Sequence, residues 1–538
     1  MKVFLIIFLL VGLTSPVTAQ VVDPQYMIVE NFYITGEDVR VNLLVRDNKL
    51  ELLSENPIPI PDGFVALDAN AGYLMGDLTL GESPSFMILD ADPRTDFEVL
   101  LNLESHVVFA VHEGEIRENL LAYATDMFEE SHVQAGWHAY APPPVALVSQ
   151  YKTGDSWNHW STENTQNAFF GVLALDRQHW LSQNRVSEEQ VGDLDDFEGG
   201  EVRDLRLGIY GTLNYFEKPW GYNVVVATNA FGKTYEQGEQ DTFKSLDYRL
   251  DIPLGDAVKM SVGKQKEPIS MERLMTLINL PMQERTSGAD AFLPSRNVGV
   301  LFSGNALNRR MSWAGGVFNN FIDADVSIDE GATDLVGRVT WLPFVSSDQS
   351  NLVHLGLATK FSNGNQGYDF GARPEFNKSP LFVGTGADEA DGIQNYAIEA
   401  SWRRGPLWLA GEYVGTHVDS LTDGTLDFDS YYLEASWILT GEMRQYHAQS
   451  GTFGPVPVSR SAYTNGLGAW EISTRWSSID MDDGPVKGGK MDILSLGLNW
   501  WLTPIFNVNV NYRYIQHGIT GLNGTASGTN MRLLLKLR

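Results

Sequence analysis

The sequence of 538 residues contains no cysteine, so no disulfide can stabilise the fold. Beyond the first twenty residues it also lacks any apolar run of about 20 residues, the length that a membrane-spanning helix needs. The ten histidines are scattered, and no His-x-His, His-Glu-x-x-His or serine-nucleophile motif occurs. These absences argue against a disulfide-rich scaffold, a helical membrane protein and a recognisable metal-dependent or serine hydrolase.

Basic residues are few relative to acidic ones. The chain has 38 Lys and Arg against 68 Asp and Glu, a formal net charge of −30. Nucleic-acid-binding proteins have basic surfaces, so we predict no nucleic-acid partner. Acids cluster in residues 193–201, 323–334 and 423–429, but none of these runs has the spacing of an EF-hand. We interpret them as solvated loops and predict no metal site and no cofactor.

The first residues have the pattern of an export signal. Lys2 precedes the apolar stretch VFLIIFLLVGL, and Val17-Thr18-Ala19 fits cleavage before Gln20. Residues 1–19 are therefore predicted to be a signal peptide.

Three consecutive prolines in YAPPPVALV divide the remaining chain. We predict a β-rich domain at 20–140, a proline-rich linker at 141–150 and a larger domain at 151–538. A short helix is also predicted over ENLLAYATDMFEE, residues 118–130.

The larger domain shows strict two-residue alternation, which is typical of β-strands. In FNVNVNYRY, Phe506, Val508 and Val510 lie on one face, opposite Asn507 and Asn509. Similar alternation occurs in ILSLGLNW, WEISTRW, YYLEASWIL and YAIEASWR. One interpretation is a soluble sandwich or propeller with an apolar core.

A membrane barrel is the interpretation we favour. Trp and Tyr recur at the ends of the apolar faces, as they do at membrane interfaces. Short turns such as RRGP and LTPI alternate with long acidic connections. We therefore predict an all-β fold, a large antiparallel transmembrane β-barrel of about 16 strands preceded by a small β-rich periplasmic domain.

Several stretches resemble the phosphate-selective porin O and P family: GKQKEPISMERLMT with MQERTSGADAFLPSRNVG, YYLEASWILTGEMRQYHAQSGTFGPVPV, and GAWEISTRWSSIDM with GGKMDILSLGLNWWLTP. The resemblance covers most of residues 151–538. It implies a sixteen-stranded barrel in the outer membrane of a Gram-negative bacterium, usually trimeric, that passes small solutes by diffusion. Membrane lipid and lipopolysaccharide are the partners that this location implies.

The resemblance also implies a constriction, because residues 264–296 match a loop that folds into the lumen. Rings of charged side chains set selectivity in pores. The alternative for each charged residue is that it ties the loop to the wall, and this applies equally to the candidate outside the loop, Arg444. The candidates within the loop are Lys264, Lys266, Glu267, Glu272, Arg273, Glu284, Arg285 and Arg296.

Two features depart from the family pattern. Phosphate-selective members line the pore with Arg and Lys, whereas residues 151–538 are acidic overall, so phosphate specificity does not carry over. The chain ends at Arg538 instead of an aromatic residue, although Leu533, Leu535 and Leu537 keep an alternating rhythm. We predict passive diffusion of small hydrophilic solutes or ions, and no enzyme activity.

The stretch ALDANAGYLMGDLTLGESPSFMILDAD, residues 66–92, resembles flanking strands of the amidohydrolase superfamily, joined where that family inserts its catalytic barrel. The resemblance makes 20–140 a β-sandwich remnant that lacks the catalytic part. Two alternatives follow. The alternatives to a passive channel are a metal-dependent amidohydrolase-like enzyme and an outer-membrane scaffold whose N-terminal domain binds a periplasmic partner.

Overall fold

The computed structural model describes residues 26–34, 40–55, 58, 65–89, 93–94, 107–112, 115–119, 122–123, 158–162, 164–216, 218–228, 243–255, 258–307, 309–322, 324–346, 350–458, 462, 466–519 and 521–537. The predicted signal peptide and linker lie outside these ranges. The chain forms two compact units, residues 1–58 with 67–122 and residues 59–66 with 123–538. The domain boundaries given above stay predictions.

The first unit is a β-sheet. Its hydrogen-bonded order is β3-β2-β1-β4-β5-β6-β7, and β8 pairs with β4. Asp47 and Asn48 both have positive φ between β2 and β3, as a tight hairpin turn requires. Ile28 and Phe109 belong to its buried core. The strands are β1 Tyr26–Ile34, β2 Arg40–Arg46, β3 Lys49–Ser54, β4 Val65–Asp77, β5 Ser85–Leu89, β6 Val107–His112, β7 Glu115–Asn119 and β8 Ala122–Tyr123.

The stretch that resembles an interrupted hydrolase domain forms an antiparallel hairpin. Residues Tyr73 to Asp77 of β4 pair with Leu89 to Ser85 of β5. The backbone N–H of Gly81, in the turn, donates to the Leu50 carbonyl at 2.8 Å and fixes the turn against β3. The helix predicted over 118–130 is wrong at its start, because Glu118 and Asn119 belong to β7.

The second unit is a closed barrel of 16 antiparallel strands. A short additional strand, β9 His159–Ser161, pairs with the first of them. The barrel strands are β10 Thr165–Gln183, β11 Gly199–Leu213, β12 Trp220–Thr228, β13 Phe243–Pro253, β14 Val258–Gln265, β15 Asn297–Ala306, β16 Met311–Asn319, β17 Thr333–Val345, β18 Asn351–Tyr368, β21 Asp388–Arg404, β22 Leu407–Ser420, β23 Gly424–Ile438, β26 Ala469–Asp483, β27 Val486–Thr503, β28 Phe506–Ile519 and β29 Leu522–Leu537. Four strands of two residues lie in the connections and form two small sheets outside the barrel ladder. They are β19 Gly371–Ala372 with β20 Val383–Gly384, and β24 Tyr446–His447 with β25 Thr452–Phe453.

Pairing of β10 with β29 closes the barrel, in a register that runs from Gly171 opposite Leu537 to Gln183 opposite Ala526. Closure satisfies the backbone groups of every edge strand, as a hydrocarbon environment requires. The fold prediction is therefore confirmed for the barrel, its strand number and the β-rich first unit.

The alternating faces point as predicted. Leu494, Leu496 and Leu498 are 40–51% exposed on the outside, while Ser495 and Asn499 are fully buried inside. The turns RRGP and LTPI connect β21 to β22 and β27 to β28. An apolar exterior with a polar interior is the pattern of a membrane barrel with a polar lumen.

The helices in the described ranges are short and lie in the connections. They are α1 Arg185–Val191, α2 Met271–Leu274 and α3 Ser287–Phe292, with 3-10 turns at Leu194–Phe197 and Leu277–Asn279. The side chain of Asn184 caps α1 by accepting from the Ser187 N–H. Within the described part of the chain, no helix has both the length and the apolar character to cross a membrane.

Candidate pore constriction

Three connections that the structure describes turn into the barrel. They are residues 266–296 between β14 and β15, residues 369–387 between β18 and β21, and residues 439–458 after β23. In the first, loop 266–296, all residues except Asp290, Pro294 and Ser295 are buried. Because its partners lie on β11, β22, β26, β28 and β29, this loop fills part of the lumen.

Wall residues fix the start of loop 266–296. The Glu412 carboxylate of β22 accepts the N–H groups of Met271 and Glu272, at 3.0 and 2.7 Å. A negative charge at the first N–H groups of α2 is favourable because those groups have no partner within a helix. The Tyr432 hydroxyl donates to the same carboxylate at 2.8 Å.

Lys266 fixes the far end of α2. Its ammonium donates to the carbonyl oxygens of Arg273, Leu274 and Met275, at 2.8 to 2.9 Å. The last carbonyls of a helix have no partner within the helix, so a lysine there satisfies them. Lys266 therefore holds the loop together from within.

Glu272 and Arg285 occupy the middle of the loop. The Glu272 carboxylate accepts from the Thr286 hydroxyl at 2.7 Å and from the Arg475 guanidinium of β26 at 3.1 Å. Arg285 donates to the carbonyl oxygens of Glu272 and Met275, at 3.3 and 2.8 Å. Both candidates thus bind the loop itself, and Glu272 also binds the wall.

Glu284 lies between two guanidiniums of the wall. Arg203 of β11 donates to it at 2.7 and 2.8 Å, and Arg532 of β29 donates at 2.6 Å. Arg532 also binds Asp176 of β10 through two nitrogens, each at 2.7 Å. Burial alone would raise the pKa of Glu284, but the two guanidiniums outweigh burial and lower the pKa to about 2.

The base of the loop holds the remaining loop candidates. Arg296 donates to Asp247 of β13 at 2.9 Å, and Arg273 pairs with Asp290 within the loop at 2.5 Å. Asn297 donates to Glu267 at 2.5 Å. Lys264 is a buried wall residue of β14, and it pairs in register with Tyr248 and Val298.

Arg444 connects two inward segments. It belongs to segment 439–458, and its guanidinium donates to the carbonyl of Asn279 in loop 266–296 and to Glu471 of β26, each at 2.5 Å. The same segment is held by Arg338 of β17, which donates to the carbonyls of Ser450 and Gly451, each at 2.8 Å. The structure therefore brings Arg444 to the loop that contains the other candidates.

Loop 369–387 contributes residues that sequence reasoning missed. Glu375 accepts from Arg475 at 2.5 Å and from Ser477 at 2.6 Å, and Phe376 lies 4.7 Å from the Arg513 guanidinium. Glu375 has a positive φ of 59°, an uncommon conformation for a residue other than glycine. A lone acid in a loop gives no sequence signal of its buried partners.

Part of the lumen is packed with apolar side chains. Val456 and Val458 of segment 439–458 form one buried cluster with Phe170, Trp501 and Ile278. A second cluster joins α2 and segment 439–458 to the wall through Met271, Phe453, Trp408, Tyr446 and Leu342. The interior of the barrel is therefore not uniformly polar, because the inward segments have apolar cores of their own.

The interior has a different charge balance from the whole chain. Among the described barrel residues, seventeen Lys and Arg are buried against fourteen Asp and Glu. The acidic excess of the chain therefore lies on exposed surfaces or beyond the described ranges. Nowhere in those ranges do three His, Asp or Glu side chains converge so that they could hold a metal ion.

Comparison with known proteins gives one family. The model of the phosphate-selective porin O and P family matches residues 175–524. The chain is 26% identical over 313 residues to an uncharacterized protein of Caulobacter vibrioides, covering 52% of this chain and 61% of that protein. It is 27% identical over 188 residues to Porin O of Pseudomonas aeruginosa, covering 32% and 40%. These alignments thus span less than two thirds of either relative.

Comparison with solved structures found outer-membrane proteins of low sequence identity. The anion-selective porin from Comamonas acidovorans has 14% identity and a TM-score of 0.43, covering 69% of this chain and all of that one. OmpT of Vibrio cholerae has 10% identity and a TM-score of 0.44, covering 70% and 99%. The family model spans well over half of the sequence, and the chain therefore belongs to the phosphate-selective porin O and P family of outer-membrane β-barrels.

Proposed function

We propose that the protein is a passive channel for small hydrophilic solutes or ions. The observation that carries this proposal is a closed barrel with an apolar exterior and a charged interior that inward segments narrow. Diffusion through such a lumen needs no cofactor. Current through purified protein in a planar bilayer tests the proposal, and its absence from correctly folded barrels would refute it.

In this proposal, the nine residues predicted from the sequence form the constriction, and most of them hold its segments in place. Glu284, Arg444 and Arg296 are bound to charged partners of the wall, and Lys266 is bound to backbone carbonyls. Charges neutralised in this way attract a passing ion weakly. We therefore propose weak ion selectivity and no specificity for phosphate.

The N-terminal unit is proposed to be periplasmic. Bacterial outer-membrane barrels have short periplasmic turns and longer extracellular loops. At the rim where β10 begins, most connections are short, such as 405–406 and 504–505, whereas the opposite rim carries the long connections 184–198, 266–296, 320–332 and 369–387. A chain that enters the barrel at this rim comes from the periplasm.

The N-terminal unit is further proposed to bind a periplasmic partner, as a scaffold would. Its amidohydrolase-like origin stays a prediction, and the β4–β5 hairpin gives no support to catalysis. Pull-down from periplasmic extract with the full chain, compared with a chain starting at residue 141, tests the partner. Equal recovery of periplasmic proteins by both chains would contradict the scaffold.

We propose a homotrimer in contact with membrane lipid and lipopolysaccharide. Strand length favours a protein neighbour on one side: β12 to β16 have 8 to 11 residues, whereas the other barrel strands have 13 to 19. Because about 9–11 residues just span a membrane, the part of the barrel formed by β12 to β16 extends little beyond the bilayer. Cross-linking of the detergent-solubilised protein should give three-subunit species.

A further inference from the structure

One acid of loop 266–296 is exposed while the other charged residues of the loop are buried. The structure describes every residue of this loop, and among its charged residues Asp290 on α3 alone is not buried, with 49% of its side chain exposed. Helix α3 packs against β22, β23 and β26 and against β19 of loop 369–387. The buried side chain of Asn395 on β21 donates to the Phe292 carbonyl at the end of α3, at 3.3 Å. Because the strands of the wall lie on the other side of α3, Asp290 is exposed to the lumen and not to lipid.

Three arginines interact with the Asp290 carboxylate. Arg273 donates to it at 2.5 Å and also donates to the Pro294 carbonyl at 2.8 Å, which holds the guanidinium in place. Burial and the charge of Arg273 lower the pKa of Arg285 to about 9, and Asp290 is the acid that opposes this shift most strongly. Burial also lowers the pKa of Arg373 in the second inward loop, again against the charge of Asp290. Asp290 is thus an acid that these three cations share.

The carboxylate covers the guanidiniums on the side of the lumen. Arg273 and Arg285 are only 5% and 4% exposed, whereas about half of the Asp290 side chain is exposed. An ion in the lumen therefore meets the carboxylate before it meets these guanidiniums.

Other acids near the cluster have partners of their own. Glu272 binds Arg475 of the wall at 3.1 Å, and Glu201 of β11, which also acts on Arg373, accepts from Asn377 at 2.8 Å. The cluster contains three guanidiniums, so loss of the Asp290 charge would leave a more strongly cationic region at the constriction.

Guanidiniums bind the oxygens of a carboxylate and of a free anion with the same geometry. The Asp290 carboxylate therefore occupies the position at the cluster that a permeating anion would take, and fixed charges of this kind set the selectivity of pores. We infer that Asp290 determines the ion discrimination of the pore, because its fixed negative charge keeps small anions from the arginine cluster. This inference rests on the proposed channel function and adds the residue that sets its selectivity.

Reversal potentials under a KCl gradient test the inference. Asp290→Asn removes the charge but keeps the shape of the side chain, and Asp329→Asn makes the same change in an exposed loop. We expect the chloride-to-potassium permeability ratio to rise at least about 3-fold in Asp290→Asn and to stay unchanged in the control. Asp290→Glu keeps the charge and should stay close to wild type. Asp290→Ser replaces Asp290→Asn if heat-modifiable migration shows that the latter does not fold.

A double variant separates the effect of charge from a general loosening of the loop. Arg273→Gln combined with Asp290→Asn removes one charge of each sign from the same pair. If selectivity depends on charge, the permeability ratio of the double variant should return most of the way to the wild-type value. A loop that had only loosened would not recover in this way.

An unchanged ratio in Asp290→Asn, or a shift towards potassium, would overturn the role of Asp290. The same conclusion would follow if the double variant showed the full shift of Asp290→Asn, or if Asp329→Asn matched it. Absence of current from every folded chain, wild type included, would instead refute the channel function on which the inference rests. The two failures are thereby distinguished.

Discussion

The carboxylate of Glu284 lies 2.6 Å from the guanidinium of Arg532. Glu284 belongs to the loop between β14 and β15, and Arg532 belongs to β29, the last strand. The loop therefore crosses the lumen to the seam at which β10 and β29 close the barrel. Asp176 of β10 binds the same guanidinium, so one arginine links the constriction to the closure.

Replacing Glu284 should loosen the constriction. Glu284→Gln removes the charge that faces Arg203 and Arg532, and breaking a buried ion pair typically costs about 3–5 kcal/mol. We expect a lower denaturant midpoint for the heat-modifiable form and a higher, noisier single-channel conductance. The control is Glu330→Gln in an exposed loop, for which both quantities should be unchanged. Unaltered conductance in Glu284→Gln would contradict a constriction held by this residue.

The same residue should make stability depend on pH in acid. Its pKa falls from 4.5 to about 2 in the folded state, so its stabilising contribution is present above the unfolded value of 4.5. That contribution, roughly 3 kcal/mol for a shift of this size, is lost as the pH falls from about 5 to 2. The difference in unfolding midpoint between wild type and Glu284→Gln should therefore shrink over that range. A difference that stays constant from pH 7 to pH 2.5 would show that the carboxylate is not stabilised by the two guanidiniums.

Arg444 should hold the segment that enters from the opposite rim. Arg444→Ala removes donors to Asn279 and leaves Glu471 without its guanidinium, so we expect a stability loss of about 3–5 kcal/mol and larger open-channel current noise. Arg444→Lys should recover only part of this, because an ammonium cannot replace the planar fork of arginine. Denaturant titration and single-channel recording measure both effects. The exposed Arg310→Ala is the control, and if it matched Arg444→Ala the interpretation would fail.

Ion selectivity should be weak. The buried interior has seventeen basic and fourteen acidic side chains, and most are paired at short range. Reversal potentials under a tenfold KCl gradient should stay well below the limit of about 59 mV for a perfectly selective pore. Phosphate in place of chloride should neither block nor enhance the current at low concentration. A strongly anion-selective reversal potential with phosphate block would contradict the paired interior.

The sequence was sufficient to predict the strands and their faces. In FNVNVNYRY the inward residues Asn507, Asn509, Asn511 and Arg513 are 0–4% exposed, as the alternation predicted. Two-residue periodicity follows from backbone geometry alone, so a single sequence reveals it. The constriction predicted at residues 264–296 came from resemblance to a family.

The filling of the lumen was not predictable from the alternation. On β10, Phe170 and Val172 face inward and pack with Val456, so apolar residues occur on both faces of this strand. The burial of segment 439–458 was not predicted, because it depends on Arg338 and Arg403, more than thirty residues away. An arginine holds a segment in place or selects ions depending on its tertiary contacts. Local residue spacing does not reveal those contacts.

Passive conduction is measured by single-channel recording in planar bilayers, on purified protein whose folded barrel is verified by heat-modifiable migration. A passive channel with a paired interior should give discrete conductance steps with weak ion selectivity, and larger steps for Glu284→Gln. Folded, membrane-inserted protein that gives no current would contradict it.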